Sequence, residues 1–125
     1  MQKLHTSLDA LSSEELARML SQTAFDKKAE EIVVIDVQGL SSFTDYFVIM
    51  SGRSTRHVQG LADAIGAHMR KKRISQSSAE GYNEGQWVLL DYNDVVVHIF
   101  YHESRSFYDI EGLWHDAPRL ELELK

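Results

Sequence analysis

The sequence predicts an α/β fold, α+β in layout: a mixed β-sheet with helices packed on it. Three observations carry this. Residues 32–37 (IVVIDV) and 46–51 (YFVIMS) are near-continuous apolar runs, the pattern of strands covered on both faces. Two stretches repeat apolar side chains at helical spacing: Leu16, Met19, Leu20 and Thr23, then Val58, Leu61, Ala62, Ile65 and Met69. Residues 86–92 and 95–101 are strand candidates joined by Asn93-Asp94, which reads as a β-hairpin.

The bulk properties bound what this fold can be. A chain of 125 residues makes one domain and buries enough surface for an ordinary core. It has no cysteine, which removes disulfides, thiol catalysis and cysteine-based zinc sites. The first residues lack the basic and apolar regions of a secretion signal, and no apolar run is long enough to span a membrane, so a cytoplasmic protein is expected. The formal net charge of -6 withholds the global basic field of a nucleic-acid binder.

The elements follow in order. Residues 1–11 carry scattered leucines and predict a peripheral arm or an extra helical turn. Ser12 and Glu15 have capping-box spacing and start a helix to about residue 28. The strand at 32–37, a turn at 38–42 and the strand at 46–51 form the sheet centre. Gly52 and Ser54 lead into a helix at 55–72. Arg70, Lys71, Lys72 and Arg73 lie at its C-terminal end, where cations offset the helix dipole; that reading is preferred to phosphate contact. A polar loop with a short strand near Ala79 and Glu80 precedes the hairpin. A last helix beginning at Glu103 or Ser104 runs through Trp114, weakened by Gly112. The alternating leucines and glutamates at 120–124 predict a strand-like tail in need of a partner.

Alternation divides the hairpin into two faces. Val88, Leu90, Tyr92, Val95, Val97, Ile99 and Tyr101 are uniformly apolar and should meet the helices. Trp87, Leu89, Asp91, Val96, His98 and Phe100 are mixed, as in a wet outer face or a binding surface. Phe100, Tyr101, Phe107, Tyr108 and Trp114 add an aromatic cluster. Core packing explains part of it, but interfaces are also enriched in such residues. The acids Asp91, Asp94, Glu103 and Asp109 suit a basic protein partner and disfavour direct RNA contact.

Other chemistry is weakly supported. Gly52-x-Ser54 before a helix could cradle phosphate, but most such junctions are only junctions. An active nucleotidyltransferase or nucleotide-binding enzyme would need paired carboxylates on the next strand for magnesium. Asp63 falls in a helix, and Asp91 and Asp94 fall at a turn. His98, His102 and Glu103 approach metal-ligand spacing without a common face. A small RNA-binding domain using Arg53, Arg56 and the run at 70–73 is a third reading.

The order of short motifs is more specific than any one of them. Asp36-Val37-x-Gly39-x-Ser41-Ser42-x-Thr44-Asp45-Tyr46-Phe47 is followed by Ser51-Gly52-x-Ser54-x-Arg56-His57-Val58 and by Glu80-Gly81. Then come Trp87-Val88-Leu89-Leu90-Asp91-Tyr92-x-Asp94-Val95-Val96-Val97-His98-Ile99-Phe100 and Arg105-x-Phe107-Tyr108-x-Ile110-Glu111-x-Leu113-Trp114. Over residues 12–116 this resembles the ribosomal silencing factor (RsfS, Iojap) family. The resemblance implies a nucleotidyltransferase-like fold lacking the catalytic acids, no enzyme activity and no cofactor, metal or small-molecule substrate. It implies binding to large-subunit ribosomal protein fourteen, steric blocking of small-subunit joining, and lowered translation in stationary phase or starvation. Homodimers are common in that family. Asn93 departs from the usual glycine but tolerates the same backbone conformation. The expected docking surface is Trp87, Leu89, Asp91, Asp94, His98 and Phe100, with Arg105, Tyr108 and Trp114 at its edge and little direct RNA contact.

Overall fold

The computed structural model describes residues 11–125; the arm expected before them lies outside the described residues. Helix α1 spans Ser13–Asp26 and opens with the anticipated capping box. The Glu15 N–H donates to Ser12 Oγ at 3.0 Å, and the Ser12 N–H donates to Glu15 Oε1 at 2.8 Å. Both bonds satisfy amides that a helix start leaves without partners. Ser12→Ala is expected to cost about 1 kcal/mol, read as a lower urea midpoint with an unchanged slope.

Strands β1 (Glu30–Asp36) and β2 (Tyr46–Gly52) pair antiparallel. Helix α2 (Thr55–Lys71) crosses to the short strand β3 (Ser78–Glu80). Strands β4 (Trp87–Asp91) and β5 (Val95–Tyr101) form the hairpin, with Asn93 at φ 72° as its turn requires. The sheet order is β3-β4-β5-β2-β1, closed by a sixth strand beside β1. β2 and β5 are the parallel pair at its centre; the other pairings are antiparallel.

The face chosen from alternation meets the helices. Val88, Leu90, Tyr92, Val95, Val97 and Ile99 are buried with Val34, Val48 and Met50 beneath Leu16 and Leu20 of α1 and Val58, Leu61 and Ile65 of α2. Burial pushes the Tyr92 hydroxyl up to about 12, and the hydroxyl donates to Gln76 Oε1 at 2.9 Å.

Two expectations near the C-terminus are corrected. The single last helix is two: α3 (His102–Tyr108) and α4 (Ile110–Leu113). They break at Asp109, whose φ of 48° is left-handed, not at Gly112. Gly112 instead leaves room for the Asp109 carboxylate, which accepts the Gly112 N–H at 3.1 Å and which a Cβ there would displace. The alternating tail is not left peripheral or dependent on a partner. Arg119–Leu120 forms strand β6 against β1. Leu120 and Leu122 pack on the core, and Arg18 donates to the Glu121 carbonyl at 3.0 Å.

Candidate functional site

The second sheet face is where the expected site residues fall. Register places Trp87 opposite Phe100, Leu89 opposite His98 and Asp91 opposite Val96. These six share one face, as alternation required, but not one environment. Phe100 is fully buried and His98 is 5% exposed, whereas Trp87, Leu89, Asp91 and Val96 are half-buried. The mixed face is therefore a second, smaller core of Ile35, Val37, Ile49, Phe100 and Ala117, roofed by Phe47, Trp87, Ile110 and Trp114. α3, α4 and the following turn fold over it. His98 and Phe100 support any docking surface from beneath and do not form its skin. Sequence alternation assigns a face but does not show what lies on top of it.

The roof is an aromatic stack. Trp87 lies 5.2 Å from Phe100 at 27° and 4.6 Å from Tyr108 at 44°, centroid to centroid. Phe47 meets His98 edge-on at 5.0 Å and Trp114 edge-on at 5.6 Å. Offset and edge-on pairs of this kind add to the gain from buried area. Gly81 lets β4 approach this closely: its φ is 82°, and any Cβ would run into the Trp87 carbonyl oxygen.

His98 is tied to the stack by one hydrogen bond. Trp87 Nε1–H donates to His98 Nδ1 at 3.0 Å, so the neutral ring carries its proton on Nε2. That Nε2 is buried without a partner. Burial pushes the imidazole down to about 4. Protonating Nδ1 would also set a second N–H against the indole donor. His98 is thus a neutral structural histidine, and His102, exposed at the start of α3, does not join it in a metal-ligating pair. Among the described residues no group of three histidines or carboxylates could hold a metal ion.

Arg105 is buried rather than presented at the edge. Its guanidinium donates to Glu111 Oε1 at 2.9 Å and Oε2 at 3.1 Å, and to Ser51 Oγ at 2.8 Å. The fork holds α3, α4 and the end of β2 together. These hydrogen bonds hold the Glu111 carboxyl below its ordinary value. Asp94 stays exposed at the hairpin turn, where its carbonyl accepts the Asp45 N–H at 2.9 Å.

The structure brings Trp87, His98, Phe100 and Tyr108 into one stack, with Trp114 joined through Phe47. Arg105 and Asp94 lie outside it. Exposed apolar residues lie outside the expected docking set: Phe107, named only in the aromatic cluster, is 80% exposed, Leu113 75%, and Phe43, in the loop before β2, 90%. Phe43 and its neighbour Leu40 sit within the run GLSSFT, and large apolar residues inside a Gly/Ser turn are the signal that could have found them. Gly52 and Ser54 serve the helix entry. Ser54 Oγ accepts the His57 N–H at 3.0 Å, and a Cβ on Gly52 would meet Val58 Cγ2 at 2.9 Å.

Fold and face together define an α/β domain with one side covered by α1 and α2 and an opposite aromatic side, roofed in part by α3 and α4 and carrying exposed acids. The chain belongs to the family described as ribosomal silencing factor during starvation, which matches residues 10–125. It is 39% identical over 113 residues to the ribosomal silencing factor RsfS of Halalkalibacterium halodurans, covering 90% of this chain and 97% of that one. It is 35% identical over 106 residues to the chloroplastic protein Iojap of Zea mays, covering 82% of this chain and 45% of the maize protein. A crystal structure from Bacillus halodurans superposes with a TM-score of 0.78 at 37% identity, covering 87% of this chain and 99% of that one. One from Chromobacterium violaceum gives 0.82 at 28% identity, covering 92% and 95%.

Proposed function

We propose that this chain is a ribosomal silencing factor without enzyme activity. It docks on the large ribosomal subunit through ribosomal protein fourteen, occupies the seat of the small subunit, and so blocks subunit joining and lowers translation in stationary phase or starvation. Family membership supports the class of activity. The observation that carries the docking surface is the roof of the second core. Trp87, Tyr108 and Trp114 remain partly open above a rigid buried stack, beside exposed Phe107 and Leu113. Asp91, Asp94 and Asp109 surround it with negative charge. A preorganised aromatic centre with a charged rim is the anatomy of a protein–protein hot spot, and the acids favour a basic protein partner.

Trp87→Ala is expected to weaken co-sedimentation with isolated large subunits by about 2 kcal/mol, roughly 30-fold. Its loss also disturbs the core, so two companions disturb the fold less: Tyr108→Ala, and the double change Asp94→Lys with Glu103→Lys at exposed acids. Both should weaken binding and relieve inhibition in a subunit-joining assay, and the charge change should keep the unfolding midpoint. Wild-type behaviour of all three proteins in both assays would place the docking surface elsewhere.

A further inference from the structure

The net charge of -6 averages over two unlike faces. Of the 13 lysines and arginines, eight gather at the two ends of α2, four at each. Lys27, Lys28, Arg53 and Arg56 gather at its start, and the run at 70–73 stands at its end. His57 draws the first group together: its Nδ1 accepts the Arg53 N–H at 3.1 Å, and its Nε2 lies 3.0 Å from the Lys27 carbonyl oxygen. All eight are exposed. Among the described residues only Arg53 of these eight has an ion-pair partner, Glu30 at 3.9 Å. A groove of about 380 Å³ lies between α1 and α2, lined by Thr23, Ala64, Ala67 and His68 and flanked by Lys27 and Lys71. Asp26 also borders it and accepts from Gln22 at 2.9 Å; Asp63, elsewhere on α2, accepts the Tyr82 hydroxyl at 3.0 Å.

The start of α2 does not ask for its charges. Cations are unfavourable at a helix N-terminus, yet Arg56 stands in the first turn of α2, which holds no acid, and Arg53 just before its cap. Both helices end in a left-handed residue where glycine would be relaxed, and each time it is a cation: Lys28 at φ 71° and Arg73 at φ 62°. The bonds that close those ends are Ala29 N–H to Ala24 O at 3.0 Å and Ile74 N–H to Met69 O at 2.9 Å. The helix dipole accounts for the cations at the two C-terminal ends, Lys27, Lys28 and the run at 70–73, but not for Arg53 and Arg56. Arg56 and Arg70 stand about 21 Å apart at ~1.5 Å per helical residue, so one small anion cannot serve both ends. The acids of the aromatic side lie across the sheet and a helix layer ~10 Å thick, beyond the ~8 Å screening length of physiological salt.

We infer that this helix face binds the phosphate backbone of RNA without reading its sequence, the strand lying along the groove between α1 and α2. The choice of RNA as the polyanion rests on the ribosomal reading above. The aromatic side and the helix side would then hold protein and rRNA parts of one particle.

The test sets two variants of equal net charge against each other: Arg56→Gln with Lys72→Gln, and Arg18→Gln with Lys125→Gln. The probe is labelled, protein-free large-subunit rRNA titrated from 50 to 200 mM salt. The first variant should bind about tenfold more weakly at 100 mM and show a salt slope shallower by about 1.5, while the second matches wild type. The first should also lose affinity for intact large subunits and keep its melting temperature, since it relieves the helix dipole at Arg56. Equal behaviour of the two variants on rRNA overturns the inference. So does a loss confined to intact subunits, which would mean a protein contact. Wild-type protein that fails to sediment with large subunits sinks the proposed function instead; the rRNA titration still reads this face.

Discussion

Lowering the pH from 7 to 4 is expected to remove about 3 kcal/mol of folding stability through His98 alone. The ring is neutral in the fold because burial pushes it down to about 4 from an ordinary 6.5. Between those values the unfolded chain binds a proton that the folded chain refuses. The stability is therefore complete above pH 6.5 and is lost as the pH falls toward 4. Urea unfolding at half-unit steps from pH 7.5 to 4 reads it directly. His98→Gln keeps an acceptor for the Trp87 N–H and removes the titration. Its curve should be flat over the upper part of this window, where the wild type slopes. Glu111, held low by its bonds to Arg105, acts in the same direction only below its ordinary value of 4.5, so the two contributions separate on the pH axis. Equal slopes for wild type and His98→Gln between pH 6.5 and 5 would show that the imidazole is not neutral and buried as described.

Arg105→Met should cost about 3 kcal/mol, the lower end of the range for breaking a buried pair from one side. The Glu111 side chain is 23% exposed, which spares part of the penalty. Arg105→Lys should recover little, because an ammonium cannot reach both Glu111 oxygens and Ser51 Oγ at once. Pairing Arg105→Met with Glu111→Leu removes the stranded carboxylate. The double variant is expected to be more stable than Arg105→Met alone, a coupling that a thermodynamic cycle measures. The cycle also decides how a loss of ribosome binding at Arg105 is read. If the double variant regains stability and binding together, the arginine acts by holding α3 and α4 in place. Additive stability losses in the cycle would deny the pair its structural role.

Much of the fold was legible because each signal was local. The capping box of Ser12 and Glu15, the left-handed Asn93 and the apolar alternation of Val88 through Ile99 act through neighbours within a few residues or across one turn. The corrections have the opposite character. Asp109 breaks the last helix in a left-handed conformation, and Arg105 ties the two pieces together through Glu111 and to β2 through Ser51, 54 residues back. The leucines after Pro118 are ordered by β1 and by Arg18, both about a hundred residues or nearly so away in the chain. The candidate site was half legible for the same reason. Trp87 and Leu89 lie on the sheet face that alternation gave them and remain partly open. His98 and Phe100 were placed on that face too, but what covers them comes from α3 and α4.

The sequence by itself determined the elements, the division of the hairpin into two faces, and the motif order that marks the family. These depend on residue type and period. Only the tertiary structure decided that the mixed face is a second core under an aromatic roof, that Arg105 is a buried clamp, and that Lys27 and Lys28 stand beside Arg53 and Arg56. Burial and charge clustering are properties of what packs against a residue, and for this chain those neighbours lie far away in sequence.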